Sequence, residues 1–476
     1  MSRILIAGAV AALIALSAAA PQLAQQTEHE SGPKSGPEAG LTEGRNAPPR
    51  QETRATRPPE DPAKLEAQSR QAYADGKYLP FYIANLKLHK LYPHVPSYMI
   101  NLVRACALLD KSNSAYHYMH MMQQQGLSFD FNSTEDTLNI RGTQAYDYIN
   151  NLLVEANAAA GEGTVAVTLP GPPQDYGALA WDASRERMLV GTIREGKLLA
   201  VADDGSTEVL LQAGDDNGLW SITGLAVDAD HARLWISSSA SPAFDRFSAA
   251  DLNRSALFEF DLGTLELIGH SYVPVDALQH RLGSVAVTGD GDIYVIDTVL
   301  PIVYRKVPGK NRLEAFVASE QLVRFSDLAV TPDNSRLFVA DPVMGVFLVD
   351  PKVQEATMLG GPETLNLAGI EGIEYADGKL FVVQGGITPQ RLMRLHLDAT
   401  GSAAAEVGPM AVALEPFDWP RQATIRGGDL YYFANQGAGS ADAGAIIMRT
   451  ALDAGGSIQP PDLEQLQRAL QQPSQQ

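Results

Sequence analysis

A phrase that recurs along the second part of the chain constrains the fold more than any other feature of the sequence. Three of its copies read ITGLAVDADHARLWISS, LGSVAVTGDGDIYVIDT and FSDLAVTPDNSRLFVAD. In each copy a short apolar strand leads into a turn rich in Asp, Gly and Asn, and two further strands follow. Six copies start 46, 60, 43, 45 and 50 residues apart, at Gly177, Thr223, Gly283, Ser326, Glu371 and Arg421.

This spacing predicts a mainly β fold, a six-bladed β-propeller over residues 164–455. Units of about 40 to 50 residues with several strands each are typical of propellers. One blade cannot bury both of its faces, and closing a ring leaves no long unpaired sheet edge. The segment TVAVTLPG at residues 164–171 precedes the first copy, and we predict that it supplies the outer strand of the last blade.

Residues 1–19 are predicted to be a secretory signal peptide. Arg3 is followed by the apolar run ILIAGAVAALIAL, and the small residues Ser17 and Ala19 favour cleavage ahead of Ala20. No second apolar run approaches the length of a membrane-spanning helix. We therefore expect an exported protein, periplasmic or secreted, without a membrane span.

Three further segments differ in composition. Residues 20–61 are rich in Pro and Gly and poor in large apolar side chains, which favours a disordered linker. Residues 62–160 place apolar side chains at helical spacing, and Ala72 lies 35 residues before Ala107, close to the period of about 34 residues of tetratricopeptide repeats. We interpret this part as a small α-helical, tetratricopeptide-like domain before the propeller. Residues 456–476 are a polar, Gln-rich tail.

The charge of the chain limits its partners. The formal net charge is −20, and the sequence shows no basic patch, so nucleic acid is not an expected partner. A neutral small molecule, a cation or another protein fits this charge better. The single cysteine, Cys106, lies in an apolar helical run and is interpreted as a buried core residue.

No common catalytic motif points to a site. The sequence lacks G-x-S-x-G, H-E-x-x-H, C-x-x-C and a phosphate-binding loop. Any site must therefore be assembled from residues that are distant in sequence. In a propeller the place for such a site is the mouth of the central channel, where the innermost strands of all blades begin.

The segments GLWSITGLAVDADHARLWISSS, LAVTPDNSRLFVADPVMGVFLVD and GIEGIEYADGKLFVVQGG resemble the six-bladed family of senescence marker protein (regucalcin), gluconolactonase and strictosidine synthase. The resemblance covers roughly residues 164–450 and follows the strand and turn pattern of the blades. It implies a lactonase-like hydrolase acting on a small polar molecule or lactone. Lactonases of this family hold one divalent cation, usually calcium, at the channel mouth, with oxygen ligands from a Glu, an Asn and an Asp.

Carried onto this chain, the resemblance keeps few of those ligands. The Glu position falls on Tyr176, the ligand Asn on Ser326 and the Asn that contacts substrate on Gly283. The Asp position keeps an acidic residue, Glu371, and Asp327 lies one residue from a lost position. Strictosidine synthase, in the same family, works without a metal. No cofactor is therefore expected with certainty, and calcium is the cation that the resemblance suggests.

Glu371 and Asp327 are the candidate catalytic acid or base and the candidate weak ligands of a cation. The alternative for Glu371 is a structural ion pair with an arginine of the channel. The predicted ligand-binding residues are the other side chains at blade starts: Tyr176, Trp220, Arg281, Ser326, Arg421 and Gln422.

Two functions stay open from the sequence. The first is an exported, lactonase-like propeller that binds a small polar ligand at the channel mouth, with hydrolysis as its activity. The alternative is a non-catalytic interaction or scaffold protein, which binds a protein partner through the helical domain and the propeller face. The replaced metal ligands weigh against metal catalysis of the family type, and the helical extension favours a binding role.

Overall fold

The structure is a computed structural model that describes residues 61–274, 278–319, 322–441 and 443–455. The predicted signal peptide, the predicted linker up to residue 60 and the predicted Gln-rich tail lie outside these residues. Within the described ranges no helix is both long enough and apolar enough to cross a membrane.

The described part of the chain begins with five α-helices, where the sequence predicts a helical region. They are α1 (Pro62–Ala74), α2 (Tyr78–Leu91), α3 (Pro96–Leu108), α4 (Ser112–Gln124) and α5 (Gln144–Glu155). Consecutive helices pack against each other. Both α1 and α3 start with a proline, and these two prolines lie 34 residues apart. The four helices α1 to α4 are thus two successive helix pairs, each with the length of a tetratricopeptide repeat. Cys106 is buried in their core, as expected.

The remaining described residues contain 25 strands, of which two precede the first blade: β1 (Ala160–Gly161) and β2 (Thr164–Leu169). Blade 1 contains β3 (Tyr176–Asp182), β4 (Arg187–Thr192), β5 (Lys197–Val201) and β6 (Thr207–Gln212). Blade 2 contains β7 (Ser221–Asp228), β8 (Arg233–Ser239), β9 (Ser255–Asp261) and β10 (Leu267–Tyr272). Blade 3 contains β11 (Leu282–Val287), β12 (Ile293–Asp297), β13 (Ile302–Lys306) and β14 (Leu313–Ala318).

The other three blades follow the same order from the channel outward. Blade 4 contains β15 (Asp327–Val330), β16 (Leu337–Asp341), β17 (Gly345–Asp350) and β18 (Glu355–Met358). Blade 5 contains β19 (Ile370–Ala376), β20 (Lys379–Gln384), β21 (Arg391–Leu397) and β22 (Ala404–Val412). Blade 6 contains β23 (Arg421–Arg426), β24 (Asp429–Phe433) and β25 (Ala445–Ala451). All strand pairs within the blades are antiparallel.

The ring is closed by β2, as predicted from the position of TVAVTLPG. This strand pairs with β25 and becomes the outer strand of blade 6, with Leu169 opposite Ala445. The short strand β1 pairs with β22 and adds a fifth strand to blade 5. The first and last parts of the propeller are thus joined by backbone hydrogen bonds, which leaves no open gap in the ring.

Each recurring phrase begins with the innermost strand of one blade and continues into the second strand. The six innermost strands β3, β7, β11, β15, β19 and β23 contact one another in turn around the channel. Apolar side chains pack between neighbouring blades, as Ala329 and Phe338 of blade 4 do with Ile373 and Leu380 of blade 5. The outer strands, such as the fully exposed β18, bury little, which explains why the repeated phrase shows only three strands per copy.

The helical region is fixed to the end of the propeller at which β19 begins. Arg391 is 3% exposed, and its guanidinium donates to the carbonyl oxygens of Gln125 at 2.9 Å and Gly126 at 3.1 Å. Asn366 donates through Nδ2 to the carbonyl oxygen of His94 at 2.8 Å and to Gln125 Oε1 at 2.9 Å. Burial lowers the pKa of Arg391 to about 10 and that of His94 to about 4. Buried polar groups that satisfy each other in this way hold the helices in one position beside the channel mouth.

Candidate functional site

The innermost strands share an irregularity that directs side chains into the channel. In five of the six described blades, the pairing between the first two strands shifts register near the start of the innermost strand. The extra residues at these bulges are Gly177, Thr223, Gly283 with Ser284, Glu371 and Gln422. Bulges turn side chains away from the regular sheet direction and are common next to active sites.

All of these bulge residues line one cavity of about 270 Å³, which we call the mouth cavity. It also contains most of the predicted ligand-binding side chains. The predicted residues that line it are Tyr176, Arg281, Ser326, Glu371, Arg421 and Gln422. Side chains from five blades therefore converge at the place that the sequence predicts, while their roles stay predictions.

Glu371 is the one carboxylate among the described residues that line the mouth cavity. It is 4% exposed, and its Oε1 lies 3.3 Å from Nη2 of Arg324. The ion pair with an arginine, left open by the sequence, is therefore present. Arg324 lines the same cavity, so the ion pair faces the channel.

Two further arginines face the mouth cavity without such a partner. Arg281 donates through Nε to Thr298 Oγ1 at 2.9 Å, whereas Nε of Arg421 is buried and makes no hydrogen bond. Desolvation, with repulsion from Arg421 and Arg324, lowers the pKa of Arg281. Arg281 is thus close enough to Arg421 and Arg324 to be repelled by both, and the mouth cavity is locally cationic in an acidic protein.

The uncharged side chains of the mouth cavity divide into satisfied and unsatisfied groups. Tyr176 donates its hydroxyl to the carbonyl oxygen of Pro170 at 2.5 Å, and Ser326 donates to Ala340 O at 3.3 Å. Both therefore form wall rather than free hydrogen-bonding groups. Gln422 donates to Gly177 O at 2.5 Å, but its Oε1 is buried without a partner.

Gln422 also has an unusual backbone. Its φ of +48° lies in the left-handed region, which residues with a side chain rarely adopt. The bulge at the start of β23 forces this conformation. Strained residues of this kind are found preferentially at functional sites, where the surrounding structure holds them in place.

Gln436, which the sequence analysis did not single out, completes the mouth cavity. It is 9% exposed, lines the cavity and has no hydrogen-bond partner for its Nε2 donor. A buried amide donor without a partner is costly unless a ligand or water satisfies it. Gln436 lies shortly after β24, the second strand of its blade. The polar residues that follow this strand are the feature of the sequence that could have indicated Gln436 as a site residue.

Asp327 lies elsewhere in the channel, apart from Glu371. It lines a second cavity of about 250 Å³, the deep chamber, which is formed by the later residues of the innermost strands. Its carboxylate accepts hydrogen bonds from the backbone N–H groups of Leu328 at 2.9 Å and Ile373 at 2.8 Å. Burial raises its pKa to about 6, although the hydroxyl of Ser284 and these N–H groups act in the opposite direction.

A second carboxylate of the deep chamber was missed by the sequence analysis. Glu374 lines the chamber with Asp327. Burial, together with the nearby charge of Asp327, raises the pKa of Glu374 well above its usual value. Glu374 looks in sequence like an ordinary polar residue of an alternating strand, so only the closed ring reveals its position.

Trp220 differs from the expectation that placed it in the site. It is 8% exposed and is not among the residues that line the mouth cavity. Its ring packs edge-on against Phe258 at 6.2 Å between the centroids, within the apolar core of blades 1 and 2. A large aromatic side chain next to this core gains more from burial than from facing the channel.

The mouth cavity fits a divalent cation less well than an anion. Calcium takes about six to eight oxygen ligands, but Glu371 is already paired with Arg324. Asp327, the other proposed ligand, lines the deep chamber instead. Across the ranges that the structure describes, no group of three or more His, Cys, Asp or Glu residues is arranged to hold a metal ion.

No protein-family model matches the chain, and no curated protein matches it. Its structure is similar to a gluconolactonase from Xanthomonas campestris, with 14% identity and a TM-score of 0.41 over 61% of this chain and 89% of that one. It is similar to the calcium-binding protein regucalcin from Agrobacterium tumefaciens, with 15% identity and a TM-score of 0.45 over 63% of this chain and 97% of that one. An aldose sugar dehydrogenase from Streptomyces coelicolor has 18% identity and a TM-score of 0.41 over 62% of this chain and 100% of that one. At such low identity the likeness concerns the propeller and not the activity.

Proposed function

We propose that the protein is an exported, lactonase-like propeller that binds a small polar molecule at the mouth of its channel. The observation that carries the proposal is the convergence of polar side chains from all six blades on the mouth cavity. Several of them, including Gln436, present buried polar atoms that have no partner among the described residues. Sites that combine a concave wall with a few such convergent polar groups are the usual place for small ligands.

Hydrolysis of a lactone or ester is the activity that we propose for this site. In the proposed step, the Glu371 carboxylate accepts a proton from a water molecule as the water oxygen attacks the carbonyl carbon. The guanidinium of Arg421 stabilises the negative charge that develops on the carbonyl oxygen. When the C–O bond of the ester breaks, the proton passes from Glu371 to the departing alkoxide, and the product is a hydroxy acid.

A panel of lactones and neutral sugars tests the proposal, with acid release and calorimetric binding as the readouts. We expect at least one lactone to bind and to be hydrolysed, and Glu371→Gln to reduce the rate by about 100-fold or more. Glu406→Gln is the matched control, because Glu406 is an exposed residue of β22 in the same blade. Calorimetric titration with calcium chloride tests for a cation site in the same experiment.

The outcomes of this panel test the role of Glu371, the hydrolysis and the ligand binding separately. Hydrolysis at equal rates in wild-type protein and Glu371→Gln would remove Glu371 from the reaction. Binding without hydrolysis would leave a small-molecule-binding propeller that is not an enzyme. If no lactone, sugar or calcium ion binds, the proposed function is wrong.

The second candidate function, a scaffold for a protein partner, is favoured by one observation on α2. Leu79, Ile83 and Leu86 are 50%, 45% and 39% exposed and recur at helical spacing, so they form an apolar stripe on the surface. A photo-reactive residue at position 83 is expected to yield one discrete cross-linked product in the exporting cell. The same residue at exposed position 64 of α1 should yield none, and equal products at both positions would contradict the scaffold role.

A further inference from the structure

We propose that the mouth cavity selects a small molecule that carries an oxyanion, either a carboxylate or a phosphate, next to hydroxyl groups. The proposal rests on the proposed function, because it names the class of ligand that the same site takes. Three features of the mouth cavity carry it: guanidinium groups without a counterion, buried polar atoms without a partner, and the small size of the cavity.

The first feature is the charge of the cavity wall. Of its three arginines, only Arg324 has a carboxylate of the described residues within ion-pair distance, and that carboxylate is Glu371. Across the described residues, no salt bridge involves Arg281 or Arg421. The mouth cavity therefore holds two positive charges that nothing in its wall neutralises, although the whole chain has a net charge of −20.

Two acidic groups act on these arginines from outside the cavity wall, Asp297 on Arg281 and Asp327 on Arg421, but the hydrogen bonds that each carboxylate accepts already engage it. Asp297, which acts on Arg281 from a distance, accepts hydrogen bonds from the N–H groups of Val299 and Leu300. It also lies 2.7 Å from His280 Nδ1. A planar oxyanion between the two arginines would supply the missing charge and accept hydrogen bonds from their fork-shaped donors.

The second feature is the set of polar atoms without partners beside those arginines. The buried Nε2 of Gln436 and the buried Nε of Arg421 are donors, and both lack an acceptor. The buried Oε1 of Gln422 is an acceptor without a donor. Two donors fit an oxyanion, whereas a free acceptor fits a hydroxyl group of the same molecule.

The third feature is size. The cavity volume of about 270 Å³ lies just below the range of about 300–1,000 Å³ that is typical of ligand sites. A molecule of roughly the size of a monosaccharide therefore fits better than a polymer. A hydroxy acid, which is also the product of lactone hydrolysis, combines both required groups.

Calorimetric titration with three probes of similar size tests the inference. The probes are gluconate, which carries a carboxylate, glucose 6-phosphate, which carries a phosphate, and glucose, which carries neither. We expect at least one anionic probe to bind at least about tenfold more tightly than glucose. The two anionic arms show whether the oxyanion is a carboxylate or a phosphate.

Substitutions at the mouth cavity then locate the binding. Arg421→Gln and Arg281→Gln are each expected to weaken the anionic probe by at least about tenfold and to leave glucose unaffected. Arg421→Lys keeps the charge but loses the fork of donors, so an intermediate loss is expected. Arg70→Gln removes the same charge from an exposed position of α1 and should change nothing.

The outcomes distinguish this inference from the proposed function. If glucose binds as tightly as both anions, the site is polar but not selective for an oxyanion, and only the inference fails. Anion binding that survives both arginine substitutions would place the anion elsewhere and would also overturn the inference. If none of the three probes binds and no lactone reacts, the inference and the proposed function are both wrong.

Discussion

The mouth cavity and the deep chamber are lined by the same six strands, but their polar side chains differ in how far their hydrogen bonds are satisfied. In the mouth cavity, Arg421 and Gln436 each have a buried nitrogen without a hydrogen-bond partner. In the deep chamber, the carboxylate of Asp327 accepts hydrogen bonds from Leu328 and Ile373. These nitrogens of Arg421 and Gln436 are thus free to meet a ligand, whereas Asp327 joins two neighbouring blades.

The difference between the two cavities follows from the register of the innermost strands. In β15 the pairing with β16 is regular from Asp327 onward. The other five innermost strands carry a bulge near their start, as at Glu371 in β19. A bulge turns a residue into the mouth cavity, and the regular strand leaves Asp327 facing the deep chamber. Residues at equivalent blade starts therefore have different roles.

The largest effect is expected where the deep chamber loses its structural carboxylate. Asp327→Ala leaves the N–H groups of Leu328 and Ile373 buried without an acceptor, and the hydroxyl of Ser284 loses its partner as well. We expect the free energy of unfolding to fall by about 3 kcal/mol. Chemical denaturation measures this loss, and an unchanged midpoint would show that Asp327 does not hold the blades together.

A smaller effect on stability is expected from substitution of Glu371, which should change both the free energy of unfolding and the affinity for ligand. Glu371→Gln removes the counterion of Arg324, so stability should fall by about 1 kcal/mol. The same substitution leaves a third unneutralised arginine in the mouth cavity, so gluconate should bind more tightly. Weaker gluconate binding in this variant would mean that Glu371 itself contacts the ligand, and it would break the proposed division between anion binding and proton transfer.

The stability of the fold should depend on pH through two buried groups. His94 lies where the helices contact the propeller, and Asp327 lies in the deep chamber. His94 has a pKa lowered to about 4 by burial, with a contribution from His89. Its unfolded form binds a proton first, so stability is lost as the pH falls from about 6.5 toward 4. The pKa of Asp327 is raised to about 6, so its contribution has the opposite sign and stability is gained as the pH falls from about 6 toward 4.

Two variants separate these opposing contributions in urea denaturation between pH 4 and pH 7. His94→Gln should lose less stability than wild-type protein as the pH falls. Asp327→Asn should lose more, because it no longer gains from protonation. Parallel curves for all three proteins would show that neither group titrates differently in the folded state.

The smallest effect on stability is expected at Arg421. This side chain has no ion pair among the described residues and is repelled by Arg281. Arg421→Gln should therefore change the free energy of unfolding by no more than about 0.5 kcal/mol, or even increase it. A large loss of stability would show that Arg421 has a structural role and would weaken the contrast between the two cavities.

The sequence predicts the fold well because each blade repeats the same alternation and the same turns. It also predicts that Arg281, Glu371 and Arg421 meet, since innermost strands start at the same end of a propeller. It does not show that a neighbouring core buries the ring of Trp220, which therefore is not among the described residues that line the mouth cavity. Gln436 was missed because it follows the second strand of its blade.

The bulges explain why the two acidic candidates could not be separated from the sequence. Glu371 and Asp327 both stand at blade starts, and a one-residue change of register reverses the direction of a side chain in a strand. No residue pattern reveals which blade carries a bulge and which does not. Only the structure of the closed ring shows that Glu374 lines the same chamber as Asp327.

Calorimetric titration of gluconate into wild-type protein, Arg421→Gln and Asp327→Asn tests the central claim most directly, which is that the mouth cavity binds the ligand and the deep chamber supports the fold. Arg421→Gln should bind at least about tenfold more weakly than wild-type protein. Asp327→Asn should bind as tightly as wild-type protein or slightly more tightly, because Asp327 is a negative charge near Arg421. Loss of binding in Asp327→Asn, with unchanged binding in Arg421→Gln, would contradict the account and would place the ligand in the deep chamber.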